Sequence, residues 1–462
     1  MSIRPTHVAR IAHTTFAITA LLGGAAAHAN FEAALADYKA GHYDSARAQF
    51  LSLAELGDCS SQFNLGAMAL QGQGGPKDAG GGVGWLEVAA ANGCQQLVGN
   101  KAQELAAKLS ADQSQAAAAI VARYGNEALR TEGVISPTFI CSDRIPAAGR
   151  STPEPEYPHT AAGRHEPAIV ITALTIGADG YPRDPEVLLS LPQDGFAAAA
   201  VEAWFNSQFA PASSAGKPLA TRIDARTLFQ PTDAPLASAA PLKTLRAAAD
   251  GGDQSARYVV GLVANFDSSL GISSTRAGEL LLGAARDGDA RAQYWVGSQL
   301  RATAACHPRA DGSVWLRHAA AGGSAAAQLL LASDLLRGTP SAEQAAQARA
   351  LLARAAGSDS YYVRKHLVAL LAASPVEAVR DPAGALAIAM KLAAGDIQSD
   401  PQMFESVAAA YAANGDFHKA VAQQDVALLK ANSLGWNTRA MSDRQSAYRH
   451  NEPWRGELFA LQ

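Results

Sequence analysis

The chain has 462 residues, 48% hydrophobic but only 6% aromatic, and its 38 Lys and Arg against 42 Asp and Glu give a net charge of −4. Length alone suggests about three domains of roughly 150 residues, while a 17% share of charged residues excludes long solvated disordered tracts. The acidic balance excludes nucleic acid as a partner, because phosphate binding needs concentrated positive charge.

Residues 1–29 read as an export signal. Arg4 and Arg10 form a basic start with no acidic residue, residues 16–27 (FAITALLGGAAA) are small or apolar, and Ala27-His28-Ala29 offers a small-x-small cleavage pattern. This stretch is shorter than the about 20 apolar residues that span a bilayer, and no later segment approaches that length, so no stable membrane span is expected after cleavage near Ala29-Asn30. Cleavage removes two of the 38 cationic residues and none of the 42 acidic ones, moving the balance from −4 to −6. Cys59, Cys94, Cys141 and Cys306 all remain, and in an oxidising compartment they permit two disulfides with three pairings. Cys59 and Cys94 occupy similar places in consecutive repeats. Equivalent points on stacked helices, however, lie about 8–10 Å apart, beyond the about 7 Å a disulfide allows, so no pairing is singled out.

A repeat of about 36 residues organises much of the chain. GDQSARYVVG from Gly252 and GDARAQYWVG from Gly288 share Gly, Asp, Ala, Tyr, Val and Gly, and GSAAAQLLLA follows from Gly323. GDCSSQFNLG from Gly57 and GCQQLVGNKA from Gly93 repeat the spacing near the N-terminus. Each unit follows an alanine-rich helix, so the glycine is read as a left-handed helix end and Asp58, Asp253 or Asp289 as the cap of the next helix. The pattern is fullest from Tyr38 to Gly93, through Ala40-Gly41-His42-Tyr43, Gly57-Asp58, Gln62-Phe63-Asn64-Leu65-Gly66, Trp85 and Ala89-Ala90. On these residues the chain resembles the Sel-one-like repeat family, relatives of the tetratricopeptide repeat. Gly80-Gly81-Gly82 falls inside the second helix of that unit and is expected to fray its start. Ser110 and Gln113 form a capping box for a helix over 110–130. Near the C-terminus, Phe404, Val407, Ala408, Tyr411, Gly415, Ala420 and Ala427 fall on tetratricopeptide spacing, and Trp454 and Phe459 are expected to dock the tail on the last repeat.

Between the arrays the composition changes. Pro137, Pro146, Pro153, Pro155 and Pro158 favour an extended connector. Ala168-to-Ile176 reads as a strand ending at an Asp179-Gly180 turn, residues 186–191 as a second strand, and Phe196, Ala199, Ala200, Ala203 and Trp204 as one helix face. In the last strand, 219–229, Leu219, Thr221, Ile223, Ala225, Thr227 and Phe229 share one face and Arg222, Asp224 and Arg226 the other. Tyr157-Pro158 with Ala161, Phe196 with Ala199 and Ala200, Trp204, Phe209-Ala210-Pro211-Ala212 and Gly216-Lys217-Pro218 make 151–231 resemble the C-terminal domain of TonB, the energy transducer of Gram-negative bacteria. The resemblance implies a periplasmic location, possible outer-membrane transport components as partners, and a final strand to which a partner peptide adds. Leu219, Thr221, Arg222, Ile223, Asp224, Arg226 and Phe229 are therefore the peptide-binding candidates. It does not carry energy transduction with it, since that needs a membrane anchor and a long spacer.

No catalytic constellation stands out. The histidines are scattered, His165-Glu166 lacks a second His four residues on, and Cys306-His307 are adjacent residues followed by Pro308. No cofactor, metal or catalytic residue is assigned. The expected fold is mainly α, an α-solenoid of helix-turn-helix repeats in two arrays separated by a small α+β TonB C-terminal-like domain. Its divisions are a signal peptide (1–29), Sel-one-like repeats (30–132), a Pro-containing linker (133–150), the TonB-like domain (151–231), a linker (232–241), Sel-one-like repeats (242–358) and tetratricopeptide-like repeats with a C-terminal cap (359–462). The expected function is non-enzymatic binding of protein or peptide partners; the alternatives are a cell-envelope enzyme and a peptidoglycan-binding protein.

Overall fold

The computed structural model describes residues 31–158, 167–193, 195–230, 236 and 240–459. The expected signal at 1–29 with its cleavage point, Ala161, His165-Glu166 and most of the 232–241 linker lie outside them.

The repeat turns form as their sequences dictate. Gly57, Gly252, Gly288 and Gly323 take φ of +82°, +97°, +101° and +94°, a left-handed turn in which a residue without Cβ is unstrained. The next residue, Asp58, Asp253, Asp289 or Ser324, then caps a helix with its side chain. A buried glutamine in the following turn ties three of these four pairs together. Gln62, Gln293 and Gln328 donate Nε2, each at 3.0 Å, to the carbonyls of Ala54, Ala285 and Ala320 at the end of the preceding helix. In the C-terminal array the first helices of successive pairs, Gln254–Phe266, Ala290–Thr303, Ala325–Leu335, Tyr361–Ala373 and Pro401–Ala413, form an inner row. The second helices, among them Ser274–Arg286, Ser313–Ala321 and Phe417–Ser433, back them. The Ser110–Gln113 capping box is present at the start of Ala111–Tyr124, and Trp454 and Phe459 pack the tail onto the last repeats beside Leu458.

Two expectations are corrected in the N-terminal array. The helix Ala79–Ala89 does not fray at its glycines: Asp78 caps it and Gly80, Gly82 and Gly84 are buried. A Cβ on Gly80 would lie 2.5 Å from the Gln113 carbonyl oxygen, and one on Gly82 2.6 Å from Leu70 Cγ, so the glycines let three helices approach closely. Cys59 and Cys94 are disulfide-bonded with Cα atoms 5.6 Å apart. They are not equivalent points on stacked helices. Cys59 opens Cys59–Gln71, Cys94 follows the end of its antiparallel partner Ala79–Ala89, and an antiparallel hairpin places those two ends side by side.

The arrays are interrupted in sequence but joined in space. Leu56, Leu129 and Val134 share one core with Trp295, Leu300 and Trp315. Trp315 Nε1 donates to the Gly133 carbonyl at 3.2 Å, and His318 meets Ser52 at 3.1 Å and Glu55 at 3.5 Å.

Among the described residues, the insert and the segment before it hold eight strands: β1 Arg144–Ile145, β2 Ala148–Ser151, β3 Ala168–Ile176, β4 Pro182–Leu191, β5 Gln208–Ala210, β6 Ala212–Ser214, β7 Lys217–Leu219 and β8 Thr221–Phe229. The main sheet runs β4-β3-β8, with both pairs antiparallel. The connector 133–150 is a pinned segment instead of a free spacer. Its β1 pairs with β6, β2 pairs with β5, and Cys141 is bonded to Cys306 in the loop after Ala290–Thr303. Replacing Cys141 and Cys306 together by alanine is expected to lower stability by about 2–4 kcal/mol. Urea unfolding checks this, with an unchanged midpoint as the contrary result.

Candidate functional site

β3 sets the geometry of the insert. Its nine residues are buried without exception because both faces of the sheet are covered. Ala168, Val170, Leu174 and Ile176 pack with Phe196, Ala200, Trp204, Phe209 and Phe229, that is, under the insert's own helix Phe196–Phe205. Ile169 and Ile171 instead join Tyr258, Leu262 and Trp295 of the inner row. The inner surface of the C-terminal array, which in an open solenoid receives a partner, is therefore occupied by this chain's own sheet.

Two bulges in β4 aim residues at that surface. Ala173 pairs with Glu186 and Thr175 with Arg183, leaving Asp184 and Pro185 opposite one residue of β3. Asp184 sits at φ +54°, a conformation that aspartate tolerates better than most residues. Its Oδ1 lies 2.7 Å from His366 Nε2 and 3.0 Å from Lys365 Nζ, and Lys365 also donates to Asp400 at 2.8 Å. The second bulge places Leu188 between residues paired with Ile171 and Thr172, and the Leu188 carbonyl accepts from Tyr258 Oη at 3.2 Å. Extra residues that re-aim side chains are the usual role of bulges.

The structure places the peptide-binding candidates in three groups. Leu219 lies in β7 and pairs with Ala212 of β6; Ala220 separates it from β8, so the last strand is shorter than expected. Thr221, Ile223 and Phe229 lie on β8 over β3, where they face Ile176, Leu174 and Ala168. Arg222 and Asp224 do not face solvent as an edge strand's charges would. Arg222 is paired with Glu186, its side chain 4% exposed, and Glu186 accepts from Tyr294 Oη at 2.6 Å. Asp224 accepts from Trp295 Nε1 at 2.8 Å and Gln299 Nε2 at 2.7 Å. Arg226 alone of the three remains substantially exposed, beside Asp267.

Electrostatics follow burial. Burial pushes the Asp184 carboxyl up, but His366 and Lys365 against it outweigh burial and hold it well below the usual carboxylate range. Glu186 and Asp224 move the other way, because burial raises them more than Arg222 lowers them. Asp184, Tyr294, Trp295, Gln299, Lys365 and His366 carry no motif. Their one signal in the sequence is the charged triplet Arg364-Lys365-His366 inside the otherwise apolar run of Tyr361–Ala373.

β8 ends its sheet. Among the described residues no strand pairs with its outer edge. At the start of β8 that edge borders a cleft of about 480 Å³, walled on the far side by the end of Ala290–Thr303 and the start of Ser313–Ala321. Among the described residues no helix is long and apolar enough to cross a membrane.

Residues 153–231 match the family model of the Gram-negative bacterial TonB protein C-terminal. No match is found among curated proteins. Among solved structures the chain is similar to c5321, a protective antigen present in uropathogenic Escherichia coli strains displaying an SLR fold. The identity is 16%, over 91% of this chain and 85% of that one, with a TM-score of 0.33. The chain is a mainly α, helical-repeat protein with a TonB C-terminal-like domain inserted between its two arrays.

Proposed function

We propose that the protein is a periplasmic interaction scaffold that captures an extended peptide segment of a partner protein along the outer edge of β8, without energy transduction or catalysis of its own. The observation that carries this reading is that no strand among the described residues pairs with the outer edge of β8 while both of its faces are already committed, one under Phe196–Phe205 and one against the inner row. What remains to recognise is backbone, and unpaired backbone N–H and C=O groups are the basis of strand addition. Edge strands usually guard against such pairing with outward charges; here Arg222 and Asp224 are spent on the repeats. Their contacts also hold the strand in place before a partner arrives, which limits the ordering cost of binding. The inner surface is filled by the sheet, so the repeats serve as the frame of the site. Asp184, Lys365, His366 and Asp400 are residue types that move protons in enzymes, but they are buried and paired with one another, which suits a clamp. The TonB C-terminal match and the signal-like residues 1–29 support the periplasmic assignment.

Ile223→Pro and Arg226→Pro, at positions of opposite parity on β8, test the reading as a pair. Successive N–H groups of an antiparallel strand alternate between its two edges, so one proline removes an outward donor and the other breaks the ladder to β3. Binding is read by fluorescence anisotropy with labelled peptides of about ten alternating Thr and Val residues. The variant that keeps the wild-type melting curve is expected to lose capture. Undiminished capture by that variant, or no capture by the wild type, refutes strand addition.

A further inference from the structure

We infer that the captured segment carries a carboxylate side chain or terminus, and that the cleft at the start of β8 receives it; this rests on strand capture along the same edge. Four arginines line the cleft, Arg144, Arg222, Arg301 and Arg337, against two aspartates, Asp311 and Asp334. Asp334 is shared: Arg301 reaches it with two nitrogens at 2.6 and 2.7 Å and Arg337 with one at 3.1 Å. Asp311 accepts the Ser313 backbone N–H at 2.9 Å. Adding Glu186, which pairs with Arg222, the four guanidinium groups still outnumber the carboxylates that reach them.

Arg222 makes the imbalance specific. It lines the cleft with its side chain 4% exposed, and beyond the nitrogen paired with Glu186 its Nε and Nη1 have no hydrogen-bond partner among the described residues. A guanidinium offers five donors in a planar fork, and leaving buried ones unused is costly. The fork matches a carboxylate in two-point geometry, and all four cations here are arginine, none lysine. The cleft begins at Ala220, Thr221 and Arg222, where β8 starts, so a peptide paired with the edge projects one end into it. A peptide carboxylate is therefore favoured over a free anion, because backbone pairing and charge neutralisation act on one molecule.

The probes are labelled peptides of about ten Thr and Val residues with an Asp-Glu pair at one end or the other, and the same peptides with Asn-Gln. They are titrated against the full chain and against the double variant Arg144→Gln, Arg337→Gln. Both arginines lie outside the hydrophobic core, Arg337 with its side chain 66% exposed, so the fold is retained. The better acidic peptide is expected to bind about tenfold or more tightly than its amide twin, and the double variant is expected to erase that difference while leaving the amide peptide's affinity unchanged. Equal affinity of acidic and amide forms overturns the carboxylate assignment and leaves strand capture standing. Equal loss of both forms in the double variant overturns it too, as does displacement by inorganic phosphate without any preference for acidic peptides. Absence of binding by every peptide overturns both readings.

Discussion

Replacing Lys365 by methionine is expected to destabilise the protein by about 3–5 kcal/mol, the cost of leaving buried charges without their partner. Lys365 is fully buried and its ammonium group bridges Asp184 of the insert and Asp400 of the array. Without it, two carboxylates remain in a site that water does not reach, and only His366, Tyr361 and the Gln402 backbone N–H still touch them. Urea unfolding followed by far-ultraviolet circular dichroism measures the loss. The pH dependence identifies its origin. In the wild type the depressed Asp184 carboxyl contributes stability that is present above its unfolded pKa, about 3.9, and is lost as the pH falls through its folded value. In the variant, Asp184 keeps its burial but loses the ammonium group, so protonating it in acid relieves part of the penalty. The gap between the two proteins is thus expected to be widest near neutrality and to narrow in acid. Adding Asp184→Asn and Asp400→Asn to Lys365→Met is expected to recover much of the loss, since coupled partners do not add. A pH-independent gap, or no recovery in the triple variant, would show that Lys365 acts through packing alone.

Trp315→Ala is expected to cost a similar amount, about 3–5 kcal/mol, and to act at a different place. Trp315 is fully buried, belongs to the core that Leu56 and Leu129 enter from the N-terminal array, and donates to the Gly133 carbonyl. Removing it opens the seam between the arrays. The helices Cys59–Gln71 and Ala79–Ala89 are therefore expected to exchange amide hydrogens earlier than Pro401–Ala413 and Phe417–Ser433, which lie far from the seam. Faster exchange confined to the C-terminal helices would contradict this. Trp315→Phe keeps most of the packing but strands the carbonyl, and should fall between the two.

Much of the architecture was legible because local physics decides it. The capping residues after Gly57, Gly252 and Gly288, the Ser110–Gln113 box, the strand Ala168–Ile176 and the helix Phe196–Phe205 all form where their patterns place them. The candidate site was legible only in part. Alternation correctly put Arg222 and Asp224 on one face of β8, but period two says nothing about what covers that face. What lies there is Tyr294, Trp295 and Gln299, contributed from far along the chain. Asp184 was invisible because a bulge redirects it, and no pattern of period two or 3.6 encodes an extra residue. Cys59 and Cys94 looked too far apart because spacing gave their repeat positions and not which helix ends meet.

That the insert's sheet fills the array it interrupts bears on how the chain is made. Synthesis delivers β4 and β8 before the helices that receive them: Asp184 precedes His366 by 182 residues and Glu186 precedes Tyr294 by 108. Until those partners have followed, Asp184 and Asp224 can only be hydrated, Glu186 and Arg222 have only each other, and the sheet's second face has nothing to close on. Pairings this distant in sequence slow folding. A chain terminated before Gln254 would carry every residue of the TonB C-terminal-like domain and still lack the surface against which that domain is finished.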